Sequence, residues 1–172
     1  GSSLYLNQYD KSNTVTLTTL DISGTLGSSS EDRGIYMHNY PPRNGNTVIG
    51  TINNSGTIIG TRAISLNSRS IITTLNNSGS ITGGNGAGII HYGNSTQADN
   101  GYFGTINNSG TIQATVAGIH LYNYVYITNL INTGTISTSG VGSDIDLSGS
   151  SYITNLYNDC LLYTSPSPRD TI

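Results

Sequence analysis

Charge is the scarcest property of this chain. Only 9% of its 172 residues are charged, the net charge is −3, and Lys11 is the single lysine. A chain with no basic face has little to hold a phosphate backbone, so nucleic-acid binding is not expected. A phosphate-binding G-x-x-x-x-G-K-S/T loop is also excluded, because Lys11 follows Asp10. Tryptophan is missing, Phe103 is the single phenylalanine, and the aromatic content rests on twelve tyrosines. No apolar run approaches the ~18 residues of a membrane-spanning helix, so direct membrane insertion is not expected. The one cysteine, Cys160, leaves no disulfide within the chain.

What the chain has instead is repetition. Thr51-Ile-Asn-Asn-Ser-Gly-Thr-Ile58 returns as Thr74-Leu-Asn-Asn-Ser-Gly-Ser-Ile81 and as Thr105-Ile-Asn-Asn-Ser-Gly-Thr-Ile112. Looser copies are Thr19-Leu-Asp-Ile-Ser-Gly-Thr-Leu26 and Asn129-Leu-Ile-Asn-Thr-Gly-Thr-Ile136, and a sixth begins at Asn155-Leu-Tyr-Asn158. The glycines Gly24, Gly56, Gly79, Gly110 and Gly134 are 32, 23, 31 and 24 residues apart. A period of this size marks a repeat architecture.

Each unit has two further segments. One alternates around an isoleucine: Gly34-Ile-Tyr-Met-His38, Ala63-Ile-Ser-Leu-Asn67, Gly88-Ile-Ile-His-Tyr92, Gly118-Ile-His-Leu-Tyr122 and Ser143-Asp-Ile-Asp-Leu-Ser148. The other precedes the Asn-rich bend, as in Val48-Ile-Gly-Thr-Ile52 and Ile71-Ile-Thr-Thr-Leu75. Short alternating runs of Ile, Val, Thr and Tyr bounded by Gly, Asn and Ser read as strands. No segment sustains a 3.6-residue period, so no substantial helix is expected.

Three short strands per repeat predict an all-β fold, a β-solenoid of five to six stacked coils. One coil cannot bury its apolar side, but stacked coils bury theirs on one another. The coils fall near 14–47, 48–70, 71–101, 102–125 and 126–151, with a partial coil at 152–159, in one domain. Composition rich in Gly, Ser, Asn and Thr invites disorder; the phased Ile and Leu columns argue against it. Asn54, Asn77, Asn108, Asn132 and Asn158 should stack as an amide ladder in the bend. The glycine after the bend is expected to supply a left-handed turn. Leu4-Tyr-Leu6 reads as the last strand of a preceding coil, so the chain is expected to begin inside a longer protein.

Candidate sites follow from the alternation. If Ile35, Ile64, Ile89, Ile119 and Ile145 point inward, their neighbours point out. Tyr36, His38, Tyr92, His120 and Tyr122 then share one face, where aromatic rings can stack on sugars or meet a partner surface. The same columns also follow from the β-propensity of tyrosine alone, and both readings stay open at this point. Loops at 40–46 and 93–101 are expected to leave one edge, with Arg43 and Asp99 as candidate binding residues. His91 takes an inward place and reads as a core histidine.

No G-x-S-x-G or H-E-x-x-H is present, and the three histidines lack metal-ligand spacing. Gly83-Gly-Asn-Gly-Ala-Gly88 has the style of a calcium-binding nonapeptide, but Gly88 stands where that motif needs Asp. Asp144 and Asp146 lie on one side of a strand and read as a solvated pair. No metal, cofactor or catalytic residue is expected, and the chain is read as non-enzymatic.

Two resemblances add to this reading. Cys160-Leu-Leu-Tyr-Thr-Ser-Pro-Ser-Pro-Arg-Asp170 resembles the translation of a sequencing-library adapter, so residues 160–172 are set aside as an artefactual tail. Over residues 4–159, the repeated Asn-Asn-Ser-Gly-Thr-Ile with its Gly-Ile-x-Leu partner resembles the passenger domains of autotransporters of Gram-negative bacteria. That resemblance implies a right-handed parallel β-helix, exported by type V secretion and displayed at the outer membrane or secreted. It implies a C-terminal β-barrel translocator in the intact protein and an adhesin-like role toward a host-cell or matrix receptor or a glycan. The alternative is a carbohydrate-binding or carbohydrate-active β-helix of the polysaccharide lyase or phage tailspike kind, which would need clustered carboxylates with Arg or Lys.

Overall fold

The structure, a computed structural model of the chain, describes residues 3–8, 13–39, 45–94 and 101–159. Seventeen strands and no helix lie among them. A lead strand, β1 (Leu4–Gln8), is followed by five rounds of three. The first round is β2 (Val15–Ile22), β3 (Thr25–Gly27) and β4 (Arg33–Asn39); the second is β5 (Thr47–Asn54), β6 (Thr57–Gly60) and β7 (Arg62–Asn67). The third is β8 (Ser70–Asn77), β9 (Ser80–Gly83) and β10 (Ala87–Tyr92). The fourth is β11 (Tyr102–Asn108), β12 (Thr111–Ala114) and β13 (Ala117–Tyr122), and the fifth is β14 (Tyr126–Asn132), β15 (Thr135–Thr138) and β16 (Ser143–Ser148). A last strand, β17 (Tyr152–Asn158), starts the next round.

Strands at the same place in successive rounds pair in parallel. Sheet A runs β1-β4-β7-β10-β13-β16, sheet B runs β2-β5-β8-β11-β14-β17, and sheet C runs β3-β6-β9-β12-β15. The chain is a parallel β-helix with three strands per coil, as its period predicts. The lead strand takes its place in sheet A beside β4, with Leu4 against Ile35 and Leu6 against Met37.

Inside the three sheets the side chains form columns. Ile52, Leu75, Ile106, Leu130 and Leu156 are in register, as are Ile58, Ile81, Ile112 and Ile136. The middle coils bury these residues completely, whereas Leu156 in the last strand is 51% exposed. Each fully buried Ile or Leu contributes about 1.5–3 kcal/mol, so the stack and not the single coil carries the stability.

The amide column forms as predicted. Asn54 Nδ2 donates to Asn77 Oδ1, Asn77 to Asn108, Asn108 to Asn132 and Asn132 to Asn158, each at 2.7 Å. The same Nδ2 groups also reach a backbone carbonyl of the next coil, Ser80, Thr111 or Thr135, at 3.1–3.2 Å. Four of these carboxamides are thus buried with their donors satisfied, which offsets most of the desolvation cost that would otherwise exclude them.

The repeated glycine has a different role from the one expected. Positive φ occurs at Ser68, Asn123, Tyr124, Ser150, Gly27 and Gly149, and not at Gly24, Gly56, Gly79, Gly110 or Gly134. The left-handed turns therefore fall mainly where sheet A hands over to sheet B. At the Asn-rich corner the glycine answers a close approach instead. A Cβ on Gly79 would stand 2.1 Å from the Gly56 carbonyl oxygen, and Gly56, Gly110 and Gly134 show the same contact with the glycine one coil earlier. That oxygen is already engaged, because the Ser80 N–H donates to it at 2.8 Å. Gly24, with no glycine stacked ahead of it, has nothing within 4 Å of that point.

His91 lies in the core, in register with Leu66 and Leu121 and edge-on to Phe103 at 5.8 Å. Its Nε2 donates to the Ser68 carbonyl at 3.0 Å, while the buried Nδ1 has no hydrogen-bond partner. Burial lowers its pKa to about 4, against a smaller upward pull from the Ser68 carbonyl.

Two outcomes follow for stability. Gly79→Ala is expected to cost at least about 3 kcal/mol, because backbone must shift to admit the methyl group, whereas Gly24→Ala is expected to be nearly neutral; urea unfolding of both variants checks the contrast. For His91, the unfolded state binds a proton near pH 6.5 and the folded state only near pH 4. Stability is therefore complete above pH 6.5 and falls as the pH drops toward 4, by about 3 kcal/mol in all. His91→Leu should remove this loss, since the Ser68 carbonyl keeps its bond from the Gly101 N–H. Unfolding midpoints at pH 7 and pH 4.5 in both proteins measure it.

Candidate functional site

The outer surface of sheet A carries two groups of aromatic side chains. Ile35, Ile64, Ile89, Ile119 and Ile145 face the core, and the alternation turns the residue after each of them outward. Pairing sets Tyr36 beside Ser65, Ser65 beside Ile90, Ile90 beside His120, and His120 beside Asp146. A second outward column runs Asn67, Tyr92, Tyr122 and Ser148, and His38 pairs with Asn7 near the start of the sheet.

The five predicted residues share this face, but they form two groups. Tyr5, Tyr36 and His38 make the first, with centroids 5.0 Å apart for the two tyrosines and 5.4 Å apart for Tyr36 and His38. Tyr92, His120 and Tyr122 make the second, with centroids 6.3–6.4 Å apart. The coil of Ser65 and Asn67 lies between them. Not every outward position is exposed: Ser65 and Ile90 are buried, and Ile90 joins Ala87 and Ala117 in a small outer cluster against which Tyr92 packs. Small residues set between larger ones at strand spacing are overhung by them, which the alternation alone does not show.

Charge fixes the first group. The Arg33 guanidinium lies 4.0 Å from the Tyr36 ring centroid, a cation–π contact. Asp32 pairs with Arg33 at 2.6 Å and reaches Arg62, one coil on, at 3.3 Å. Asn67 Nδ2 donates to the Tyr36 hydroxyl at 3.3 Å. In the second group, His120 Nε2 stands 3.5 Å from Asp146 Oδ2. Tyr122 is 43% exposed and presents its ring to solvent. Asp144 does not act with Asp146: its Oδ1 accepts from the Thr138 N–H at 2.8 Å and the Thr138 hydroxyl at 3.2 Å.

Arg43 and Asp99 lie outside the described residues, as does the 160–172 tail. Among the described residues no three His, Cys, Asp or Glu side chains are grouped to hold a metal ion.

Two further surfaces escape a reading built on single strands. Tyr102, Tyr126 and Tyr152 stack face to face on sheet B, with centroids 5.1 and 5.3 Å apart and planes within 9°. The Tyr126 phenol is held above its usual range, chiefly by burial and then by its two tyrosine neighbours. Aligning the repeats would have found this stack, since each tyrosine directly precedes the inward Phe103, Ile127 or Ile153. The other surface is a groove of about 400 Å³ at the corner between sheets B and C, lined by Asn53, Asn76, Asn107, Ser55, Ser78 and Ser109 among others. No family model, curated protein or solved structure matches the chain.

Proposed function

We propose that the chain is a stretch of an autotransporter passenger, a non-enzymatic β-helical stalk that stands outside a Gram-negative cell or is released from it, and that it serves adhesion. A C-terminal barrel in the intact protein would be its translocator. The reading is supported by the passenger-like repeats over residues 4–159 and by the physical character of the rod. Each coil rests on the one before it through pairs 23 to 32 residues apart along the chain. Such a structure can form coil by coil as a chain emerges, without disulfides.

The single observation that carries the adhesive part is the Tyr92–His120–Tyr122 group. Its strands are locked in register by neighbours on both sides, so its rings are ordered before any partner arrives. Preorganised aromatic side chains give contact area at little entropic cost. A glycan or receptor surface would meet Tyr122 first, with His120 and Asp146 as polar neighbours.

Binding of the purified chain to a glycan array and to cultured epithelial cells tests this. Tyr122→Ala is expected to weaken binding roughly tenfold, the scale of about 1.4 kcal/mol for one aromatic contact. Tyr92→Ala with Tyr122→Ala should abolish it, with the urea midpoint as the check on folding. Full binding by the folded double variant would overturn the assignment of this face.

A further inference from the structure

The groove between sheets B and C has a chemistry of its own. Five successive coils line it, giving a length of roughly 19 Å at the spacing of parallel strands. Its floor is a second amide ladder, outside the buried one. Asn53 Nδ2 donates to Asp21 Oδ1, Asn76 to Asn53 and Asn107 to Asn76, each at 2.8 Å. The column then ends, because Ile131 takes the next place.

A carboxamide offers two N–H donors and two acceptor lone pairs. The ladder uses one of each at Asn53 and at Asn76, so each keeps one donor and one acceptor for a molecule in the groove. Asn107 keeps a donor and both lone pairs, because the Ile131 side chain offers it no N–H. Beside the ladder, Ser55, Ser78 and Ser109 turn their hydroxyl protons to the carbonyls of Ile22, Asn54 and Asn77, at 3.3–3.4 Å. Their oxygens remain acceptors. The groove thus presents alternating donors and acceptors once per coil, and its volume lies within the range of ligand sites.

We infer that this groove binds an extended, uncharged glycan lying along the axis of the β-helix. The partner's class follows from what lines the groove. No Lys, Arg or His does, and Asp21 stands at one end, so a polyanion is repelled. One carboxylate is too few for a cation. An extended peptide would present like groups about every 6.7 Å along one side, out of step with coils about 4.8 Å apart. Sugar hydroxyls both donate and accept, and several ring each residue of the polymer, so they can follow the coil repeat. Ile22 and Ile131 add apolar contact toward the two ends.

This inference is independent of the sheet A reading, because the two surfaces lie on different sides of the coil. Titration calorimetry of the chain with cellohexaose tests it, with hexagalacturonate and an extended neutral peptide as comparisons. Saturable binding of cellohexaose is expected, with Asn76→Ile plus Asn107→Ile weakening it at least tenfold and Tyr122→Ala leaving it unchanged. The chain itself places Ile131 and Tyr157 in this outward column, so apolar residues are accepted there. Should the double variant fail to fold, Ser78→Ala with Ser109→Ala is the second test and is expected to weaken binding severalfold. Absence of cellohexaose binding, undiminished binding by folded variants, or a preference for the hexagalacturonate or the peptide would overturn the inference.

Discussion

Parallel strands hydrogen-bond at one spacing, close to 4.8 Å, and every part of this molecule must repeat at that spacing. A side chain in one coil therefore touches its own counterpart in the next. For an inward isoleucine the constraint is favourable, since like shapes stack without voids and bury each other. For a carboxamide it is favourable only if all members point the same way, each donating to the next. For a charged residue it is unfavourable, because like charges would stand in line. The scarcity of Lys, Arg, Asp and Glu is thus in keeping with the architecture, and where like charges do stand in line, as Arg33 and Arg62 do, Asp32 pairs with both.

Within that constraint the two amide ladders run in opposite senses. The buried ladder donates toward the later coils, from Asn54 to Asn158, while the groove ladder donates toward the earlier ones, from Asn107 to Asp21. Their dipoles oppose, which limits the field that either would build alone. The ends differ as well. The groove ladder finishes on a carboxylate that accepts its last donor. The buried ladder begins beside Ile22, and Asn54 Oδ1 is left buried with no hydrogen-bond partner. An unpaired acceptor is less costly than an unpaired N–H, because a carbonyl oxygen still has its dipole solvated in part by neighbouring amides.

Much of this was legible in the sequence, and the reason is again the repeat. With six copies side by side, an inward column is a column of letters: Ile52, Leu75, Ile106, Leu130. The repeated glycine is the exception, because its letter says only that no side chain fits. It does not say whether φ or a neighbouring carbonyl forbids one, and here the carbonyl does. The left-handed residues were invisible for the converse reason. Ser68, Asn123, Tyr124 and Ser150 carry side chains that the tight A-to-B turns admit because they project into solvent or, for Ser68, find a partner in Asn94. The two-group division of the aromatic face is legible in the same way as the inward columns, since Ser65 and Asn67 stand between the rings in the outward columns.

Outward and inward columns therefore carry different freedoms. Inward, each coil restricts the next, so a substitution at Gly79 or Asn108 acts on two neighbours at once. Outward, a column can change letter without cost to the stack: Tyr36, Ser65, Ile90, His120 and Asp146 occupy equivalent places, as do Asn107, Ile131 and Tyr157. Function can be written on such columns one coil at a time. What the scaffold imposes is direction, since any site assembled this way is a line parallel to the axis. A partner that matches the line must itself be extended, and the asparagine-lined groove is a surface of that shape.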